Sequence, residues 1–414
     1  YTTQLLIYFP LTEVCQVVLK GYLLANIDQP EKRAEANKRF KQWLLKFAEY
    51  GKETETDFFK TWLRSQYAVK MRERKKDAKS EDFDLIGTEY HRWTRNNADL
   101  VGLTESTACY QWIMRDMDFY ARVYLQLLQA ARALTPGLES VRFNADHGFT
   151  QQYQLLLAPL KPSDDEVTTQ AKLRLVADYI DCWLNRRLWN FKSITYSTVQ
   201  YTVFQFTKEL RGRSLDDLRA TLVTRLQEED TALNFGRQPY LNNWNAKSLH
   251  RQLARMINWL EIQSGEPGQY EKYVVRSGRY AYEIEHIWAN HYDRHQDEFD
   301  SPVAFGETRN RLGGLLLLPK KVNASLGDRD YDYKVEQYVK ENLLARSLHQ
   351  KCYENNPGFK QMMQRTELPF KAHCKSEGEG QSEFKKVDLE ERFQLYRQIA
   401  EQLWSVERLQ GGSV

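Results

Sequence analysis

The chain has 414 residues, with 59 Lys+Arg against 56 Asp+Glu, a net charge of +3, and 42% hydrophobic residues. No apolar run approaches the roughly 20 residues that cross a bilayer. The five scattered cysteines (Cys15, Cys109, Cys182, Cys352, Cys374) form no CxxC pair, which excludes a disulfide framework and a Cys-rich zinc module. Size predicts two or three domains. Cysteine usage, and an N-terminus without a basic n-region or cleavage signature, predict a cytoplasmic protein with no membrane partner. The first residue is Tyr1 rather than Met, which predicts a piece of a longer protein. Charge this close to balance leaves nucleic-acid binding to the distribution of the basic residues.

Residues 1 to about 268 read as helices, because apolar residues recur at spacings of three and four. Phe40, Trp43, Leu44, Phe47 and Ala48 form one such stripe, and Phe58, Phe59, Trp62 and Tyr67 a second. Leu125, Leu127, Leu128 and Ala131 form a third, ending before Pro136, and Leu173, Val176, Ile180, Trp183 and Leu184 a fourth. Pro30 and Ser163-Asp164-Asp165 mark helix starts. Lys60 to Lys79 concentrates basic residues, read first as a solvated helix face and second as a phosphate-binding surface. Arg211-Gly-Arg213 and Arg251 to Arg255 carry the same two readings.

Ser264-Gly-Glu-Pro-Gly268 is a turn cluster and the predicted domain boundary. Tyr280 to His286 alternates and predicts a strand. A polar loop runs to about Arg311, Gly313 to Leu318 predicts a second strand stopped by Pro319, and helices resume from Asp330. The fold class is therefore mostly α with a small α+β part.

Strand, polar loop, strand and helix frame a compact hydrolytic chemistry. A neutral His at a strand end suits a general base, since its ordinary pKa near ~6.5 lies close to working pH. A hard divalent cation suits a phosphodiester and takes oxygen ligands. His286 stands at the strand edge beside Glu285, and Asn323 follows 37 residues later, a candidate second ligand. His291 and His295 lie close by, without a cysteine for a closed zinc site, and read as polar loop residues. Trp288 reads as loop packing. His91, His147, His250, His349 and His373 read as structural or surface.

Tyr282-Glu-Ile-Glu-His-Ile-Trp288, Arg309-Asn-Arg-Leu-Gly-Gly-Leu315, Leu318-Pro-Lys-Lys-Val-Asn323 and Tyr333-Lys334 together resemble the C-terminal HNH (ββα-metal) domain of GmrSD/SspE-type, modification-dependent restriction proteins. The nuclease resemblance covers about residues 278 to 345, and Trp62 to Lys76 is more weakly similar to the family's helical middle region. The resemblance implies a helical domain over 1–268 and an HNH nuclease domain over 269–414, acting on double-stranded DNA in antiphage defence. Matched position by position, it implies His286 as the base, Glu285 and Asn323 on a Mg²⁺ (or Mn²⁺) ion, and Lys334 at a phosphate. Arg309, Arg311, Lys320 and Lys321 flank that site as candidate phosphate contacts. Two positions depart from the pattern: Ala289 replaces a Pro, and Gly314 replaces the loop-anchoring Asn, a role that Asn310 is expected to assume. The family's N-terminal NTPase-like domain, with its D-G-Q-Q-R motif, is absent from this sequence and is expected as a partner region. The relatives suggest phosphorothioate or modified cytosine as the sensed mark. The alternative is a DNA- or partner-binding module whose HNH fold is inactive. RNA cleavage as a toxin is a weaker third reading.

Overall fold

The computed structural model describes residues 11–228, 233, 238–375 and 380–411; residues 1–4, read for a leader, and most of the 376–381 loop lie outside them. The chain forms two compact units, residues 1–181 with 193–225, and residues 182–192 with 226–414. Among the described residues the elements are helices and one two-stranded sheet, and all five cysteines are free.

The predicted apolar stripes lie on helices, the first three in the first unit and the fourth on Glu166–Trp189, whose Trp183 and Leu184 fall in the second. Phe40, Trp43 and Phe47 are the buried face of Pro30–Ala48, where Pro30 starts the helix. Phe58, Phe59 and Trp62 are buried on Thr54–Gln66. Their rings meet those of neighbouring helices: Phe47 to Phe58 at 4.8 Å, Phe59 to Tyr90 at 5.3 Å and Trp62 to Trp112 at 4.6 Å. Such flat, offset contacts fill a helical core with few side chains, which accounts for much of the aromatic load. Asp165 caps the Glu166–Trp189 helix, its Oδ1 accepting from Thr168 N at 2.7 Å.

The basic 60–79 segment divides in two. Arg64 is structural: Nε donates to Phe83 O at 2.9 Å, and the guanidinium lies 3.8 Å from the Phe83 ring centroid. Lys70, Arg72, Arg74, Lys75, Lys76 and Lys79 are exposed on a connector pinned by Asp82 and Asp84, which accept from the Lys70 and Arg72 amides. Arg211 is also structural, donating to the carbonyls of Arg64, Ser65 and Ala68 at the end of the Thr54–Gln66 helix.

The second unit is built on Ala246–Gln263, a helix buried almost all round. The Ser264–Gly268 turn lies inside this unit, where Glu266 pairs with Arg346 at 2.8 Å. Strand β1 (Tyr282–His286) runs antiparallel to β2 (Leu315–Pro319), with Glu285 opposite Leu316 and His286 opposite Leu315. The second strand begins two residues later than predicted. Leu312–Gly314 forms a turn ahead of the strand, and a Cβ on Gly313 would stand 2.1 Å from Leu389 O, so only glycine fits against the Lys386–Leu403 helix there. The polar loop contains a short helix, Pro302–Arg309, started by a Ser301 cap and Pro302 at its first turn. Beneath the sheet, Trp288, Phe299, Phe305, Leu316, Leu318, Val335, Tyr338 and Leu389 form one apolar cluster. Trp288 is loop packing: it is buried, and Nε1 donates to Phe384 O at 2.6 Å.

Candidate active site

The alternation of β1 places Glu283 and Glu285 on one face and Ile284 and His286 on the other. On the first face, Glu285 is buried beneath the Tyr331–Tyr338 helix. Lys334 Nζ donates to its Oε1 at 2.6 Å and Tyr338 OH donates to the same oxygen at 3.2 Å. Lys334 Nζ also donates to His286 O at 3.0 Å. Burial pushes the Glu285 carboxyl above the ordinary range, and the Lys334 ammonium opposes that rise. Lys334, expected at a phosphate, is 1% exposed and engaged twice; meeting a phosphate would require breaking both bonds.

Asn323 lies on the Lys320–Leu326 helix that follows β2. Its Nδ2 donates to Glu283 Oε2 at 3.2 Å, and Lys320 Nζ stands 3.5 Å from Glu283 Oε1. The structure thus joins Asn323 to Glu283 and Glu285 to Lys334. Glu283, which the sequence reading passed over, has a side chain 38% exposed. Its signal was available: two residues before Glu285, it shares that residue's strand face. Oxygen ligands of the kind a hard cation takes are present on this face, but Asn323 turns its Nδ2 to Glu283, and Glu285 Oε1 is held by Lys334 and Tyr338.

On the opposite face, His286 Nε2 lies 2.8 Å from Asn310 Oδ1. Asn310 ends the Pro302–Arg309 helix, and its backbone O accepts from Leu241 N at 2.7 Å. With the amide oxygen accepting, the ring proton sits on Nε2 and the lone pair on Nδ1. Burial, with Arg309 nearby, lowers the His286 pKa to about 4, so the imidazole is neutral near pH 7. Arg309 is partly committed, Nε donating to Trp288 O at 2.9 Å. Arg311 is half-buried, while Lys320 and Lys321 are exposed at the start of their helix.

His295 packs on Trp288, ring centroids 4.7 Å apart, and His291 stands 3.4 Å from Asp293. His373, read as structural or surface, stands with Asp388 and Glu391, their donor atoms within 4.8 Å of one another. His373 Nδ1 is 3.0 Å from Asp388, and Lys371 already pairs with Glu391. No described helix is long and apolar enough to cross a membrane.

No curated protein sequence and no solved structure matches the chain. Residues 227–367 match the family model of the GmrSD restriction endonucleases, C-terminal domain. The matched segment lies within the second unit and contains both strands, Asn310, Asn323 and Lys334. Residues 227–367 are therefore a GmrSD-type restriction endonuclease C-terminal region.

Proposed function

We propose that this chain is a metal-dependent DNA endonuclease of the ββα-metal (HNH) type, acting on double-stranded DNA in restriction, with His286 as general base. The observation that carries the reading is the His286–Asn310 contact, set within a strand, loop, strand and helix of a restriction-endonuclease segment. Asn310 fixes the imidazole so that Nδ1 offers its lone pair. A water hydrogen-bonded there gives its proton to Nδ1 as its oxygen attacks phosphorus. Glu283 and Asn323, which meet at the partly exposed edge of β1, are the residues that would hold Mg²⁺ or Mn²⁺, and Glu285 would join them by leaving Lys334 and Tyr338. Bound there, the ion supplies positive charge against the developing charge on the phosphate and the leaving 3′-oxygen. Arg309, Arg311, Lys320 and Lys321 are proposed phosphate contacts.

Supercoiled plasmid tests the reading. Wild type is expected to nick it in Mg²⁺ or Mn²⁺, and His286→Ala to lose at least about 10²-fold of that rate. Equal rates in both, or intact plasmid with every divalent ion, would overturn it in favour of a binding module. Asn323→Ala should nick only at higher metal concentration; an unchanged metal titration would remove Asn323 from the ion.

A further inference from the structure

Of the ten tryptophans, all but Trp244 are at most 7% exposed, whereas Trp244 is 97% exposed. An indole bare to solvent forgoes the burial that every other Trp here obtains, and Trp is among the residue types that carry most binding energy when a partner covers them. Trp244 is also held in place. Asn242 Oδ1 accepts from Trp244 N at 2.9 Å and from Asn245 N at 3.0 Å, and Asn245 Nδ2 donates to Tyr240 O at 2.7 Å. The turn is fastened to the candidate active site: Tyr240 bridges Arg311, Leu241 N donates to Asn310 O, and Leu312 N donates to Pro239 O.

The same turn lines an open groove of about 1550 Å³ that reaches Asn310 and Arg311. Gln238, Asn242, Asn243 and Glu307 are among its lining, with Gln238 Nε2 held by Glu390 and Asn242 Oδ1 held by the turn, and Tyr240, 46% exposed, stands 5.2 Å from the Phe191 ring on its wall. Asn310, which touches His286, therefore also borders this groove. An aromatic surface flanked by amides and an arginine suits a nucleobase, which offers a π-face to stack and edges that pair with amides.

We infer that a DNA strand lies along this groove, with Tyr240 on its wall and Trp244 on the adjoining turn, outside the lining, stacking an unpaired base where the strand leaves it, and so positioning the strand for cleavage. This rests on the endonuclease reading and adds to it that the substrate is locally unstacked at the site. A base inside an intact duplex has no free face, so the duplex substrate must open locally at this turn, and DNA that already carries unpaired bases binds there more tightly.

The test uses the intact chain carrying His286→Ala, which binds without cutting, and labelled oligonucleotides that are single-stranded, mismatched or fully paired. Trp244→Ala is expected to weaken binding of the first two on the order of tenfold, and of the paired duplex much less. Trp244→Phe should restore most of the loss. Single strands should quench indole emission with Trp244 present and leave it unchanged in Trp244→Ala. Equal affinities for Trp244→Ala and its parent overturn the inference, as does self-association that Trp244→Ala abolishes while DNA binding stays constant. Nicking of plasmid by wild type is followed separately. His286-dependent nicking with no Trp244 effect sinks this inference alone; Trp244-dependent quenching without nicking sinks the endonuclease reading and leaves the base contact.

Discussion

His286 and Glu285 are adjacent in sequence and opposite in environment. The imidazole has one amide partner and a pKa lowered to about 4, against an unfolded value near ~6.5. A depressed imidazole pKa contributes stability fully above the unfolded value and loses it as pH falls toward the folded one. His250, buried with Nε2 2.9 Å from Tyr282 O, is also lowered to about 4. Stability of the second unit is therefore expected to decline between pH ~6.5 and 4, and less steeply in His250→Gln, as read from thermal midpoints across pH. The acid limb of nicking should lie well below pH 6.5; a limb at the ordinary imidazole value would contradict the environment described for His286. Asn310→Ala removes the acceptor of the Nε2 proton and should slow nicking by about 10- to 100-fold. Lys334→Met strands the Glu285 carboxylate in the core and should cost about 3–5 kcal/mol in denaturant titration, with partial recovery in Glu285→Gln/Lys334→Met.

Among the elements, the turn between the Pro302–Arg309 helix and β2 is governed by the Lys386–Leu403 helix. A Cβ on Gly314 would meet Leu389 Cδ1 at 3.0 Å and Arg309 O at 3.2 Å. The Asn that the resembled family carries here thus has no room without a shift, and Asn310 reaches His286 from the far end of the same turn. Gly314→Asn is expected to destabilise by roughly 1–3 kcal/mol rather than improve activity. Gly313→Ala, which meets backbone, should destabilise more. A rise in nicking by Gly314→Asn with unchanged melting would refute this account of the turn.

At the scale of the whole molecule, each unit closes its own core. The second takes in residues 226–268 as well as the nuclease-like segment, because the Ala246–Gln263 helix is buried there and His250 bonds to β1. A fragment of residues 269–414 loses that helix, the Tyr240–Arg311 bridge and the Leu241–Asn310 bond. It is expected to show no cooperative melt by circular dichroism, whereas the full chain does.

Periodic and local features were legible in the sequence. Helical stripes of Phe and Trp, the strand ending at His286 and the start at Pro30 all depend on neighbours within a few turns. What only tertiary structure decided concerns partners far apart in sequence. Glu285 met Lys334 and Tyr338, Asn323 met Glu283, and Asn310 met His286, pairings set by which strand face a helix covers. The turn cluster at 264–268 resembled a boundary because Gly and Pro break chain direction, yet direction changes inside a unit as readily as between units. Trp244 carries no local mark separating it from the other tryptophans; its exposure follows from the turn that holds it away from every core.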